Sequence, residues 1–183
     1  MKFKFNEDLS AELSIDNEFI KGSSDNINPY QLVYLEDSDY RQEQIAIRVN
    51  DNNVIINTAI ISAGLGGIWP NVAIAEKDRI VFCCGKNITC LSIPELKLLW
   101  QTKSNDSVCF CIYPYQNSYI IHGEMNISRI DENGNLIWQQ SGGDIFVNLQ
   151  TGNNFLLTED CIFAIDFNNN HYKFAYDGKI IND

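Results

Sequence analysis

The sequence predicts an all-β fold that is built from a repeated four-stranded antiparallel unit. Three stretches each begin with isoleucine and continue as an alternating strand, a polar turn and a second strand with an aromatic residue. They cover residues 88–101, 127–139 and 162–174, so their first residues lie 39 and then 35 positions apart. A period of about 40 residues is typical of one four-stranded β-unit.

The first part of the chain, residues 1–63, predicts further strands without this repeat. Alternating or continuous apolar runs are separated by clusters of Asn, Asp and Ser. Asp51-Asn52-Asn53 suits a tight hairpin turn, because Asn tolerates a left-handed backbone. The window from Glu7 to Phe19 fits a helix no better than a strand, and we predict a strand there. The predicted strands cover residues 3–5, 11–15, 31–35, 45–49 and 54–61.

From residue 64 onward, about three repeat units follow. Trp100 and Trp138 are 38 positions apart, and so are Asp106 and Asp144, which makes a chance repeat improbable. Each hairpin is preceded by two further predicted strands, so that each unit holds four. These preceding strands cover residues 67–74 and 79–82, then 106–112 and 119–121, then 144–149 and 155–157.

The turns of the repeat support this interpretation and show a resemblance. Asn133-Gly134 is a strong hairpin signal, and Asp177-Gly178 provides another such turn in the last unit. A strand ending in Ile-Asp, an Asn-Gly turn and then Leu-x-Trp-Gln resembles a β-propeller blade of the quinoprotein or WD-repeat kind. The resemblance covers residues 64–178 and implies a partial or small β-propeller-like array, since propellers usually have 4–8 blades. Quinone binding implies a full large propeller, so that activity does not transfer.

Composition favours one globular domain over residues 1–183. The chain is 45% hydrophobic and 20% charged, and it contains no run of 18 apolar residues that would span a membrane. Residues 1–8 do not read as a signal peptide, so we expect a cytoplasmic protein. The net charge of −11 argues against nucleic-acid binding and is compatible with a basic protein partner.

The cysteines are expected to be free and buried. All six lie in apolar strand-like runs, without a CxxC pair, and Cys109 and Cys111 are placed on one face of a strand. We therefore expect no metal site and a reducing compartment. The six are Cys83, Cys84, Cys90, Cys109, Cys111 and Cys161.

No catalytic or cofactor motif is evident. His122 and His171 lack any motif that would make them part of a triad. Asp131 and Asp166 occupy the same place in successive units, which is typical of turn-forming aspartates. The Gly-rich stretch 62–67 is followed by Ile-Trp-Pro, which does not begin a helix, so no dinucleotide site and no cofactor are predicted.

One segment and two repeat positions are candidates for binding a partner. The densest acidic cluster follows Tyr34, and Asp106 and Asp144 should lie on one rim if the repeat is real. Acidic and tyrosine side chains together suit a protein interface. The candidate partner-binding residues are Tyr34, Glu36, Asp37, Asp39, Tyr40, Asp106 and Asp144.

Two functional hypotheses remain open. The first is a non-catalytic protein-binding module, because the chain is acidic, repetitive and lacks a catalytic constellation. In type, though not in any motif, it resembles bacterial immunity proteins, which implies a cytoplasmic inhibitor that neutralises a basic toxin. The alternative is an enzyme or small-ligand binder with a central propeller pocket lined by Trp69, Trp100, Trp138 or the paired thiols.

Overall fold

In the part of the chain that the structure describes, sixteen strands form four β-sheets that follow one another along the sequence. The computed structural model describes residues 1–36, 42–147 and 154–181. Within these ranges no helix has the length and apolarity needed to cross a bilayer. The strands and the four-stranded antiparallel sheets confirm the all-β, propeller-like fold class that the sequence predicts.

Sheet one is formed by the N-terminal segment and departs from the repeat unit. It has five strands in the order β1-β2-β4-β5-β3, and β3 pairs with β5 in parallel. The hairpin between β4 and β5 turns at Asn52 and Asn53, whose φ angles are 49° and 64°, as their sequence indicates. Its strands are β1 (Lys2–Lys4), β2 (Leu9–Ile15), β3 (Leu32–Tyr34), β4 (Glu43–Asp51) and β5 (Val54–Gly64).

Sheets two and three are four-stranded antiparallel meanders, as the repeat predicts. Their outer strands start with the same pattern of exposure, since Leu98 and Leu136 are both 44% exposed. Sheet two contains β6 (Ala73–Ala75), β7 (Arg79–Cys84), β8 (Asn87–Ser92) and β9 (Leu98–Lys103). Sheet three contains β10 (Cys109–Tyr115), β11 (Ser118–Gly123), β12 (Asn126–Asp131) and β13 (Leu136–Ser141).

Sheet four is a shortened copy of the unit. It contains β14 (Phe155–Leu157), β15 (Ile162–Ile165) and β16 (His171–Phe174), and Ile180 forms one bridge to Phe174. The strand predicted for residues 144–149 is wrong over 144–147, where the backbone forms no ladder. There the Ile145 N–H is bound by the Asp144 carboxylate, and the Phe146 N–H donates to the Glu124 carbonyl. Residues 148–149 of that prediction lie outside the described residues.

The sheets pack face to face because their strands alternate on both faces. In β7, Phe82 points into a core shared with sheet one, whereas Val81 points into a core shared with sheet three. In β11, Ile121 belongs to the core with sheet two and Ile120 to the core with sheet four. Period-two alternation therefore produces three successive sheet–sheet cores, which is the stacking of propeller blades.

The outer face of sheet one is covered by the connection between β2 and β3. Tyr30 donates to the Asp16 carboxylate, and Arg48 donates to the Tyr30 hydroxyl. Phe19 contacts Tyr30 edge-on, with ring centroids 5.1 Å apart. Ala46 and Ile60, which pair on this face, are fully buried. Residues 16–31 thus close one end of the stack.

Tryptophans join each repeat sheet to the next at equivalent positions. A Cβ at Gly134 would lie 2.7 Å from the Trp100 ring, and one at Gly178 would lie 2.6 Å from the Trp138 ring. Both glycines also have positive φ angles, 86° and 88°. The equal spacing of the two tryptophans predicts that they are buried at equivalent positions. The equivalence is confirmed, and the burial is wrong, since both are half-buried. The two contacts differ at the indole N–H: in Trp138 it donates to the Tyr176 carbonyl at 3.0 Å, whereas in Trp100 it meets no acceptor in the described part of the chain.

The repeated aspartates shape turns, as the sequence predicts. Asp131 accepts hydrogen bonds from the backbone N–H groups of Asn133 and Asn135. Asp166 accepts in the same way from the N–H of Asn170. The side-chain amide of Asn135 is the main cause that holds the pKa of Asp131 below its ordinary value, since hydrogen bonds favour the ionised form.

Candidate functional site at the rim of the sheets

One end of the array brings together three of the acidic residues that the sequence singles out. We call this end the rim; it consists of Glu36 and residues 84–87, 104–108, 123–126 and 141–145. Glu36 and Asp106 line the same cleft, of about 260 Å³, between sheets one and two. Lys86, which carries a positive charge, also lines this cleft. Among the described residues, its lining therefore combines two carboxylates with one cation.

A second cleft continues along the rim. It has a volume of about 230 Å³, and Asp106 and Asp144 both line it. Asp106 thus lines both clefts, and the three carboxylates follow one another along the rim. Asp106 and Asp144 thus lie beside the same cleft, and their part in binding a partner stays a prediction.

A buried asparagine positions Asp106. The Asn105 side chain is fully buried and accepts hydrogen bonds from the N–H groups of Ser107 and Met125. Its amide donates to the Asn126 carbonyl at 3.0 Å. A Cβ at Gly123 would lie 1.9 Å from the Asn105 amide nitrogen, so only glycine leaves room for this side chain. The rim is therefore held rigidly between sheets two and three.

The carboxylates of Glu36, Asp106 and Asp144 differ in their exposure and in their bonding partners. Asp106 pairs with Lys103 at 2.7 Å, but both side chains are more than half exposed, so this pair is worth little. Asp144 accepts from the Ile145 N–H and from the Asn168 amide and is half-buried. Glu36 is exposed, and its backbone N–H donates to the Ser62 hydroxyl.

The remaining candidates from the acidic segment are placed elsewhere or not described. The Tyr34 hydroxyl donates to the Leu96 carbonyl at 3.1 Å and accepts from the Leu98 N–H at 3.3 Å. Tyr34 thus fastens sheet two to sheet one. Asp37, Asp39 and Tyr40 lie outside the described residues, so their part in binding stays a prediction.

Sequence reasoning missed Glu124, a fourth carboxylate on the rim. It lies in the turn between β11 and β12 and accepts a hydrogen bond from the Ser107 hydroxyl. A signal existed: this turn and the one between β7 and β8 both start with glycine, at Gly85 and Gly123, and lead to asparagine, at Asn87 and Asn126. When the two turns are aligned, Glu124 occupies the position in its unit that Lys86 occupies in the unit before.

His122 and most of the cysteines are buried in the cores between the sheets. His122 is buried and its ring stacks on Phe155, with centroids 4.5 Å apart. Five of the six free cysteines are buried, and Cys111 is partly exposed. Burial raises the pKa of Cys84, Cys90 and Cys109 to about 12, so these thiols are not nucleophiles near neutral pH.

The three tryptophans do not line a common pocket in the described part of the chain. Trp100 and Trp138 cover the glycines of the neighbouring turns, and Trp69 is 43% exposed beside Gly67. Among residues 1–36, 42–147 and 154–181, His, Cys, Asp and Glu side chains do not gather in a group of three that could hold a metal ion. What the rim can do chemically is accept hydrogen bonds and attract positive charge.

Comparisons with known proteins support the fold and do not indicate a function. No protein-family model and no curated protein matches this chain. Among solved structures, the computationally designed Ika8 protein is 9% identical over 80% of this chain, with a TM-score of 0.53. The chain spans 47% of the Ika8 chain. The designed Ika4 protein is also 9% identical, with 62% of this chain and 70% of that chain covered and a TM-score of 0.50.

A natural protein of the WD40 class is among the similar structures. The WD40 domain of Neurospora crassa Pan2 is 13% identical over 61% of this chain and 36% of its own, with a TM-score of 0.46. At these identities a likeness concerns architecture alone. The class that the fold defines is a propeller-like array of stacked β-sheets.

Proposed function

We propose that this chain is a protein-binding module that uses the rim to hold a basic protein partner, without a reaction of its own. One observation carries the proposal: Asp106 lines both rim clefts, so Glu36, Asp106 and Asp144 lie along two adjoining clefts, with Lys86 and Lys103 as the cations beside them. The net charge of −11 adds a long-range attraction for cations.

The construction of the rim supports recognition by a rigid surface. Asn105 fixes the connection that carries Asp106, and the Asn126 amide extends the network to the Ser141 hydroxyl at 2.8 Å. A rigid surface loses less conformational entropy on binding than a mobile one. Carboxylates at a partly exposed rim act chiefly on the association rate and on specificity.

Neutralisation of a toxin is one specific form of this proposed function. In that form the partner is a cationic enzyme, and the rim would cover the entrance to its active site. Purified chain would then suppress the partner's activity at a one-to-one ratio, and the rim substitutions described next would reduce that suppression.

The test uses a fluorescent oligoarginine peptide as the cationic probe. We expect the triple variant Glu36→Gln, Asp106→Asn, Asp144→Asn to bind it about tenfold more weakly than wild type at low salt, because the peptide loses three carboxylate partners, two exposed and one half-buried. Fluorescence anisotropy measures the dissociation constant. Raising the salt concentration should reduce the difference, since exposed charges are screened.

A matched control removes the same charge elsewhere. Glu7→Gln, Asp25→Asn, Glu95→Gln alters three exposed side chains of the same chemistry that lie off the rim. This control should bind almost as tightly as wild type. Equal weakening of the two triple variants would show that only net charge matters, and it would remove the rim as the binding site.

A further inference from the structure

The outer edge of sheet three is open in the described part of the chain. Strand β13 is the last strand of its sheet, so one side of its backbone faces away from the ladder with β12. The backbone groups of residues 136–141 on that side make no hydrogen bond within the described ranges. Because alternate peptide groups of an edge strand point outward, they form a template for one further strand.

The corresponding edges of the other sheets are protected. In β9 the Leu98 N–H donates to the Tyr34 hydroxyl at 3.3 Å, and Lys103 carries a charge at the far end of the strand. Strand β16 is followed by Ile180, which bridges to Phe174 and covers part of that edge. The edge strands of sheet one, β1 and β3, have three residues each. Lysines, short strands and covering segments are the usual means of blocking further pairing.

Strand β13 has little of this protection. Its sequence, Leu-Ile-Trp-Gln-Gln-Ser, contains no charged residue and no proline. The register shift opposite Arg129 and Ile130 leaves one bulge, at Ile137, so the regular edge runs over residues 138–141. Leu136 and Ile137 are 44% and 50% exposed at the start of the strand. An incoming strand therefore meets unpaired backbone groups along the edge and apolar side chains at one end of it.

An extended segment of a partner protein fits this edge better than a second copy does. Two copies that paired β13 in antiparallel fashion would bring the exposed Glu132 of each toward Asp144 of the other, on chains with a net charge of −11. A partner segment without carboxylates avoids this repulsion, and its peptide groups complement those of the edge. Its favoured side chains are β-branched, because these pack well on aliphatic neighbours in a sheet.

We infer that the outer edge of β13 is a second interaction surface, at which an extended, uncharged segment of a partner protein adds a strand to sheet three. Recognition of this kind obtains affinity from main-chain hydrogen bonds and specificity from side-chain contacts. Leu136 and Ile137 supply the side-chain contacts here, since they are exposed next to the edge. This surface differs in chemistry from the rim, for which we propose a cationic partner.

The test is an NMR titration of the intact, isotope-labelled chain with a short neutral peptide in which valine and threonine alternate. The backbone amide signals of residues 136–141 should shift until they saturate. The same peptide with an N-methyl group on every residue is the matched probe control, because it keeps the side chains but cannot donate to the ladder. This control peptide should leave the signals unchanged. Ile137→Lys should weaken binding of the first peptide at least about tenfold, because a lysine at an edge opposes further pairing.

Leu99→Lys is the matched control in the protein. Leu99 occupies the corresponding bulge of β9 and is 52% exposed, so this variant should bind the peptide like wild type. The rim triple variant should also bind it like wild type, which separates this result from that of the oligoarginine experiment. If Ile137→Lys does not fold, Gln139→Lys replaces it, since Gln139 is exposed on the same strand.

Four results would overturn the inference. The signals of residues 136–141 do not shift, or the N-methylated peptide shifts them equally. The lysine variant on β13 binds as tightly as wild type. The signals move with the concentration of the chain alone, in which case the strand that pairs with β13 belongs to a second copy.

Discussion

Replacing Phe82 with alanine should lower the free energy of unfolding by about 3–5 kcal/mol. The ring is fully buried in the core that joins sheet one to sheet two. Its loss removes a large apolar contact and leaves a cavity between two sheets that cannot close freely. Equilibrium unfolding in urea, followed by tryptophan fluorescence, measures the change.

The matched control is Phe167→Ala, which makes the same substitution at a turn. Phe167 is 55% exposed between β15 and β16, so its loss should cost less than about 1 kcal/mol. Similar costs for the two variants would contradict the packing of sheet one on sheet two. Independent unfolding of residues 1–63 in wild type would contradict it as well.

His122 should make the protein sensitive to mild acid. Burial lowers its pKa from 6.5 to about 4, although the hydrogen bond with the Phe146 carbonyl, at 3.2 Å, acts in the opposite direction. The His122 ring lies between the rings of Phe110 and Phe155, which exclude the water that a protonated imidazole would need. The unfolded chain therefore takes up a proton below pH 6.5 while the folded chain does not.

The sign of the pH effect follows from this difference. Stability is complete above pH 6.5 and falls as the pH decreases toward about 4, by about 3 kcal/mol in total. His122→Gln removes the titration and keeps an N–H donor for the Phe146 carbonyl. Urea unfolding at a series of pH values should give a flatter profile between 6.5 and 4 for this variant. An unchanged profile would show that His122 is not buried in its neutral form.

Much of the fold could be predicted because local chemistry determines it. Alternating apolar residues specify which face of a strand is buried, and Asn-Gly and Asp-Gly specify where hairpins turn. Gly134 and Gly178 therefore lie where the sequence indicates. The common spacing of Trp100 and Trp138 was informative because each indole covers the glycine turn of the next sheet.

What could not be predicted depends on contacts between distant segments. The parallel pairing of β3 with β5 leaves no local signature, because a three-residue strand reads the same in either direction. The cover over sheet one depends on Asp16, Tyr30 and Arg48 meeting across the fold. The strand expected at residues 144–147 fails because Asp144 and Glu124 take the backbone N–H groups that a ladder would need.

The candidate site was predictable in part for the same reason. Asp106 and Asp144 could be found because they repeat at a fixed spacing. Asn105 could not, because its role arises from the space left by Gly123 on another strand. Similarly, the acidic segment after Tyr34 suggested a surface tyrosine, but the Tyr34 hydroxyl bonds to the turn of sheet two.

The contact between a tryptophan and the glycine turn of the next sheet holds the sheets in their stacked arrangement, and a double-mutant cycle measures it. Gly178→Ala in wild type should cost about 2–3 kcal/mol, because the new Cβ would meet the Trp138 ring at a positive φ. In a Trp138→Ala background the same change should cost only about 1 kcal/mol, for the backbone strain alone. We therefore expect a coupling energy of at least about 1 kcal/mol between Gly178 and Trp138. Costs that add within about 0.5 kcal/mol would show that the two residues do not touch, and would contradict the stacked, blade-like arrangement of sheets three and four.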